Sequence, residues 1–355
     1  MPGAVDNLSI AEDIGIYNPI ENSQMEKGEA KPDIHRATGE LTFKDRFDHV
    51  LARWGYRRAY HRVSPGLYSL GKPTAESPVF VTANYTLSFD ALRSNLKGMD
   101  GYILVLDTKG INVWCAAGKG TFGTEELMGR IKSTGLENVV GHRKLILPQL
   151  GAAGVSAFSL KEWCGWSVEY GPVRAEDLTE YLKTHRATPE MRRVRFGLWD
   201  RMVLIPIELV SIFPIMAVAA IIGYLLMGLT LSAMVLASML AGTVLFPVLL
   251  PFIPVRDFSI KGLLLGLVVA LPFAYLMLTK PGSFTLNVIA AAGYLLAMPP
   301  ITGYLALNFT GSTTFTSRTG VRKEINRYIP PMAIMFGLGV LAFIVLFAAH
   351  LLGVA

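Results

Sequence analysis

PVFVTANYTLSFDALRSNLKGMDGYILVLD, residues Pro78–Asp107, carries the pattern on which the fold of the N-terminal half turns. It opens on PVFVTANY (Pro78–Tyr85), an apolar run of strand length that ends in a polar loop. SFDALRSNLKG (Ser88–Gly98) reads as a helix capped by Ser88, whose hydroxyl can accept from an amide of the first turn. YILVLD (Tyr102–Asp107) is a second buried strand. Strand, helix and strand in succession form the repeating unit of a parallel sheet.

Reading outward, the same alternation continues. After a turn at Lys109–Gly110, INVWCAAGKGTFGTEELMGRIKSTG (Ile111–Gly135) predicts a short helix, a glycine break and a longer helix capped by Thr124. KLILP (Lys144–Pro148) is a third strand, and WSVEYGP (Trp166–Pro172) leads into the helix RAEDLTEYLKTH (Arg174–His185). Upstream, FKDRFDHVLARWGYRRAYHRVSPG (Phe43–Gly66) is basic and aromatic. Phe43, Phe47, Val50, Leu51 and Trp54 recur there at helical spacing, which predicts a stripe packed into the core. The fold class expected for residues 41–190 is therefore α/β: a Rossmann-like parallel sheet with helices on its faces. Ligands of such sheets bind beyond the carboxyl ends of the strands, here in the loops TANYTLS (Thr82–Ser88) and DTKGINVWC (Asp107–Cys115).

Composition divides the chain in two. Over 355 residues it is 52% hydrophobic and 17% charged, but most of the charge and both cysteines precede Val203. Residues 1–40 hold no apolar core and no signal peptide, and read as a flexible polar arm. Residues 191–202 form a basic linker. Residues 203–355 form an all-α transmembrane domain of about five helices: Val203–Met227, Leu229–Phe252, Gly262–Leu278, Thr285–Leu307 and Met332–Leu352. Each approaches or exceeds the roughly 20 residues that span a bilayer, the third being the shortest. Glu208 is an acid early in the first span, at either a functional polar site or the membrane interface.

Basic residues set the orientation. Arg192, Arg193, Arg195 and Arg201 precede the first span, Arg256 and Lys261 follow the second, and Arg318, Arg322, Lys323 and Arg327 follow the fourth. Only Lys280 lies on the other side. The expected protein is thus multi-pass in the cytoplasmic (inner) membrane, with its N-terminal domain in the cytoplasm and its C-terminus outside. The excess of 33 Lys and Arg over 27 Asp and Glu sits largely beside these spans, with no basic block interleaved with aromatics, so nucleic acid is not an expected partner. The two cysteines, Cys115 and Cys164, form no C-x-x-C, so the chain cannot build a four-thiolate cluster or zinc site from its own ligands.

Cys115 lies at the ligand-binding edge, followed by Ala116, Ala117, Gly118 and Lys119. Two readings stand on the residues alone. It is a small buried hydrophobe, or it is a thiolate favoured by a helix start and by Lys119 four residues on. Cys164, between Trp163 and Trp166 in KEWCGW, reads as packing.

NVWCAAGKG (Asn112–Gly120), with VTANYTLSFDALR (Val81–Arg93) before it and NFTGSTTFTSRTGVRKE (Asn308–Glu324) after the fourth span, resembles the mercury-methylating corrinoid proteins, the HgcA family. The likeness extends over about residues 45–350. It implies a corrinoid-binding domain with a membrane tail, a cobalamin-type corrinoid held base-off, and Cys115 as lower axial ligand of the cobalt on a cap helix. It further implies that a methyl group passes from that cobalt to Hg(II), that a ferredoxin-like 4Fe–4S partner (HgcB-like) supplies electrons, and that another protein supplies the methyl group. Corrinoid contacts are expected at Thr82, Asn84, Ser88, Asn112, Val113, Trp114, Cys115, Ala116, Ala117, Gly118, Lys119, Gly151 and Ala175, with Gly151 and Gly154 offering close backbone approach. Thiolate is a soft, strongly donating ligand and suits departure of methyl toward an electrophile. The turn Asp107–Gly110 lacks the His of the D-x-H-x-x-G loop, which agrees with a Cys ligand. Two other functions compete. One is a membrane corrinoid methyl carrier with a different acceptor. The other is a soft-metal binding or transport protein, although the spans hold no Cys, no His before His350 and one acid.

Overall fold

The computed structural model describes residues 33–313 and 317–353. In chain order the soluble half runs β1 (Ile34–Ala37), α1 (Phe43–Arg53), β2 (Gly66–Leu70), β3 (Val79–Ala83), α2 (Thr86–Asn95), β4 (Gly101–Leu106), α3 (Val113–Lys119), α4 (Thr124–Ser133), β5 (Lys144–Leu147), α5 (Ala157–Cys164), β6 (Ser167–Tyr170) and α6 (Leu178–Thr184). The strands form one sheet of order β1-β2-β4-β3-β5-β6.

β4, β3, β5 and β6 are mutually parallel, because each returns through a helical crossover. The sheet departs from the expected all-parallel form at one edge. β2 pairs antiparallel with β4, in register Gly66↔Val105 to Leu70↔Gly101, and β1 lies parallel to β2. Ile34–Ala37, read with the polar arm from the sequence, is therefore an edge strand. The remainder of that arm, up to residue 32, lies outside the described residues.

Alternation along the strands splits the core in two. Val79, Val81, Leu104, Leu106, Leu145 and Leu147 face Leu127, Ile131 and Leu160 of α4 and α5. Phe80, Ile103, Val105 and Ile146 face Phe89, Leu92, Leu96 and Tyr181 of α2 and α6. A side-chain period of two, with helices on both faces, buries every residue of β3 and β4.

The C-terminal half is helical: α7 (Leu198–Met202), α8 (Ile205–Met227), α9 (Leu229–Leu240), a π-helical turn (Ala241–Leu245), α10 (Phe246–Leu249), α11 (Phe258–Leu278), α12 (Phe284–Asn308) and α13 (Arg318–Leu351). Among the described residues, five segments are long and apolar enough to cross a membrane: Leu198–Met227, Leu229–Leu249, Phe258–Leu278, Phe284–Ser312 and Thr319–Leu351. The third is not short. It starts at Phe258, because the Lys261 ammonium bonds the Leu250 and Ile253 carbonyls at 2.6 and 2.8 Å and so sits inside the helix as a cap for its neighbour. Helices α11 and α12 approach closely through Gly262 and Gly266, which face Pro299, Thr302, Gly303 and Ala306.

Candidate functional site

Strand β3 connects to β4 on one side, whereas β5 connects to β6 on the other. The two strands are parallel but the strand order winds in opposite senses from them, so a crevice opens at their carboxyl ends. A cavity of about 290 Å³ lies there. Its walls include Thr82 at the end of β3, Ser88 in α2, Asn112, Val113 and Trp114 at the start of α3, and Ala175 before α6. Six residues singled out from the sequence thus share one cavity. Sequence reasoning missed Pro148 and Leu150 after β5, Pro172, Val173 and Arg174 after β6, and Val194 from the juxtamembrane linker. The Arg174 guanidinium pairs with Asp200 of α7 at 2.5 Å, which ties the cavity rim to the first apolar helix.

The loops around the cavity are held by Asn84, which is 1% exposed. Its carbonyl oxygen accepts from the Thr108 amide (3.1 Å), the Thr108 hydroxyl (2.9 Å) and the Gly110 amide (3.0 Å), and its amide donates to Asp107 (3.2 Å). Asn84 is therefore committed to joining the two ligand loops and is absent from the cavity wall. The turn it holds places Lys109 at φ 58° and Gly110 at φ 71°, both left-handed.

Helix α3 is short and capped at both ends. The Asn112 side chain accepts from the Cys115 amide at 2.9 Å, and Gly120 closes the helix at φ 85°. Ala116 and Ala117 point into the core. A Cβ on Gly154 would come within 2.9 Å of the Ala117 Cα and 2.1 Å of the Phe122 carbonyl oxygen, and one on Gly151 within 2.7 Å of the Phe122 ring. These small residues let α3 sit directly on the loop after β5. Cys115 is a half-buried free thiol, and it does not line the cavity. Gly118 and Lys119 are exposed.

Two expected caps are corrected. Ser88 lies inside the first turn of α2, which starts from Tyr85, and Thr124 lies inside α4, which starts from Gly123. The Thr124 hydroxyl instead accepts from the Ser156 amide at 2.9 Å, holding the loop before α5. Cys164 donates to the Leu160 carbonyl at 3.0 Å and packs against the core. Glu208 accepts from the Ser312 hydroxyl at 2.7 Å. Among the described residues no three His, Cys, Asp or Glu side chains converge on one point. A metal engaged through Cys115 must therefore bring most of its own ligands.

Comparison with known proteins places the soluble half. A family model described as the CO dehydrogenase/acetyl-CoA synthase delta subunit matches residues 56–182. The gamma subunit of the acetyl-CoA decarbonylase/synthase complex of Methanopyrus kandleri is 34% identical over 128 residues, covering 36% of this chain and 27% of that protein. The corrinoid/iron–sulfur protein large subunit of Moorella thermoacetica is 28% identical over 153 residues, covering 41% of this chain and 34% of that protein. The N-terminal half is similar to these proteins over part of its length. The chain spans about a third or less of the length of these relatives. The corrinoid/iron–sulfur-like segment at 56–182 contains β2 to β6, α3 and every cavity wall except Val194. Helix α1 and the apolar helices lie outside it.

Proposed function

We propose that this protein is a membrane-anchored, corrinoid-dependent methyltransferase that delivers a methyl group to Hg(II), giving methylmercury. The observation that carries the reading is Cys115 on a short capped helix at the sheet's reversal point, within a domain similar to a corrinoid/iron–sulfur protein.

The residues present suit a cobalamin-type corrinoid. A single soft thiol with no converging metal ligands suits a metal whose macrocycle supplies the remaining donors. The apolar cavity, edged by the Thr82 and Ser88 hydroxyls and the Asn112 amide, suits a ring with apolar faces and an amide rim. When bound, the group supplies a cobalt that carries methyl and releases it to an acceptor. Cys115 would hold that cobalt, leaving the corrinoid base-off. Its sulfur is a strongly donating ligand, which favours release toward a soft electrophile such as Hg(II). Val113, Trp114 and Ala175 would wall the ring, while Ala116, Ala117, Gly118, Lys119 and Gly151 shape the helix and its seat. At about 290 Å³ the cavity would enclose only part of a macrocycle, and to reach a bound cobalt Cys115 would need α3 to move, which Gly110 and Gly120 at its flanks would permit. Asn84 would hold the loops below.

With two separated cysteines, the chain holds no ligand set for a cluster. Electrons come from a separate ferredoxin-like 4Fe–4S protein (HgcB-like), and the methyl group from another protein. The basic flanks support an orientation with the N-terminal domain on the cytoplasmic side of the inner membrane and the C-terminus outside.

The test uses the full chain in detergent, loaded with cobalamin, wild type beside Cys115→Ala. Removing the thiol is expected to change the visible spectrum and to lower methylmercury formation by about 100-fold or more, given a methyl donor and a reductant. An unchanged spectrum with undiminished activity overturns the assignment. Similarity to acetyl-CoA decarbonylase/synthase subunits favours a second reading, a methyl carrier serving another acceptor. A thiol-dependent corrinoid spectrum without any methylmercury would select it.

A further inference from the structure

Helix α1 is built inside out. Its inward face is charged: Asp45 pairs with Arg93 at 2.9 Å, Asp48 with His61 at 2.8 Å and His49 with Asp90 at 2.7 Å. Its outward face is apolar: Phe43 is 83% exposed, Phe47 53%, Val50 50% and Trp54 47%. Their spacing lines them up along one side, and the Phe43 and Phe47 rings stack at 6.4 Å. Tyr56 and Tyr60 extend the apolar surface past the helix end, and Lys44, Arg46 and Arg57 are exposed around it. The ion pairs decide which side faces the domain. Turning the stripe inward would take Asp45 from Arg93 and His49 from Asp90, both buried, and leave that pair with only each other and the Thr38 and Glu40 carbonyls.

Where the helix ends indicates what covers the stripe. A Cβ on Gly55, just past α1, would sit 3.3 Å from a side-chain carbon of Ile207, the third residue of α8. Helix α7, which leads into the same span, exposes Leu198, Trp199 and Met202. Exposed apolar residues therefore reach the start of the first span from both sides and continue into its own exposed residues Val210 and Phe213. Trp and Tyr beside Lys and Arg is the composition of a membrane–water interface, and an apolar stripe bordered by cations is that of a helix lying in its plane.

We propose that α1 lies in the membrane–water interface, with Phe43, Phe47, Val50 and Trp54 in the acyl boundary and the cations at the phosphates. The soluble domain is then held to the bilayer at two points, the first span and α1. This is independent of the corrinoid reading.

The test reads Trp54 in the full chain reconstituted into vesicles of phosphatidylcholine and phosphatidylglycerol. Its emission is the difference between wild type and Trp54→Phe, whose Phe keeps the apolar surface. Lipids brominated on the upper acyl chain are expected to lower that emission about twofold or more, while aqueous iodide leaves it nearly unchanged. Quenching by iodide without quenching by bromine overturns the proposal, because the stripe is then in water. Insensitivity to both also overturns it and assigns the face to a second copy of the chain. Phe47→Glu, with an unchanged circular dichroism spectrum, is expected to return Trp54 to iodide.

Discussion

Cys115 and Cys164 are the same residue type, equally isolated from other thiols, and only their surroundings separate them. Cys164 spends its thiol on a helical carbonyl one turn back, whereas Cys115 sits beside a crevice that the strand order creates. Thr82, Ser88 and Asn112 were legible as site residues because they flank strand ends in sequence. Arg174 and Val194 were not, since nothing local reveals that β6 and the linker return to the same crevice. Asp45 shows the same dependence on distant partners. Burial works against its charge, but hydrogen bonds from the Thr42 amide, the Arg93 guanidinium and the Thr42 hydroxyl outweigh it and hold its pKa below the usual carboxylate value. A depressed folded-state pKa means stabilisation that is complete above the unfolded value and lost as pH falls through the folded one. Asp45→Asn is therefore expected to cost about 1 kcal/mol at pH 7, with the difference from wild type vanishing in acid. Urea unfolding followed by far-ultraviolet circular dichroism at pH 7 and pH 3 measures both.

Among the elements, α3 depends most on its neighbours. Seven residues with Gly118 among them make a poor isolated helix, and its position comes from Asn112, Gly120 and the close approach at Gly154. Gly154→Ala places a methyl group against backbone on both sides, with no flexible side chain to give way. It is expected to destabilise the protein by about 1–3 kcal/mol and to weaken corrinoid binding. Gly129→Ala in α4, where an added methyl meets nothing within 4 Å, is the control: neutral or slightly stabilising, with binding unchanged. Thermal unfolding and cobalamin titration of the two variants check this. Helix α1 carries a different lesson. Its period was legible from Phe43, Phe47, Val50 and Trp54, but its direction was not. Periodicity says that an apolar face exists, and Arg93, Asp90 and His61, far away in sequence, determine which way it points.

At the scale of the whole molecule, two cores of different composition share one chain. The sheet buries large apolar side chains between helices, whereas the apolar helices approach closely through small residues, the packing on which helices in lipid rely. Gly266 of α11 makes this measurable. An added Cβ would lie 2.6 Å from the Pro299 Cα, so Gly266→Ala forces α11 and α12 apart, whereas Gly337→Ala in α13 meets nothing within 4 Å. The first is expected to cost about 1–3 kcal/mol, the second to be neutral or slightly stabilising. Thermal unfolding in detergent, read by far-ultraviolet circular dichroism, separates them. The linker meets the N-terminal half through Arg174–Asp200 and through Val194, so the cavity rim includes a linker residue.

The α/β class and the five apolar helices were determined by sequence alone, because hydrophobic period and run length are local and survive without knowledge of partners. The Asn112–Gly120 stretch was likewise visible as a short helix with its cysteine, followed by a glycine break. Tertiary structure decided the rest. The reversal of β1 and β2 depends on which edge of the sheet is free, and the crevice depends on β3 and β5 becoming neighbours across 60 residues of chain. The outward face of α1 depends on ion pairs with α2 and with the loop before β2. Each of these is set by contacts between residues far apart in the chain, which no local pattern encodes.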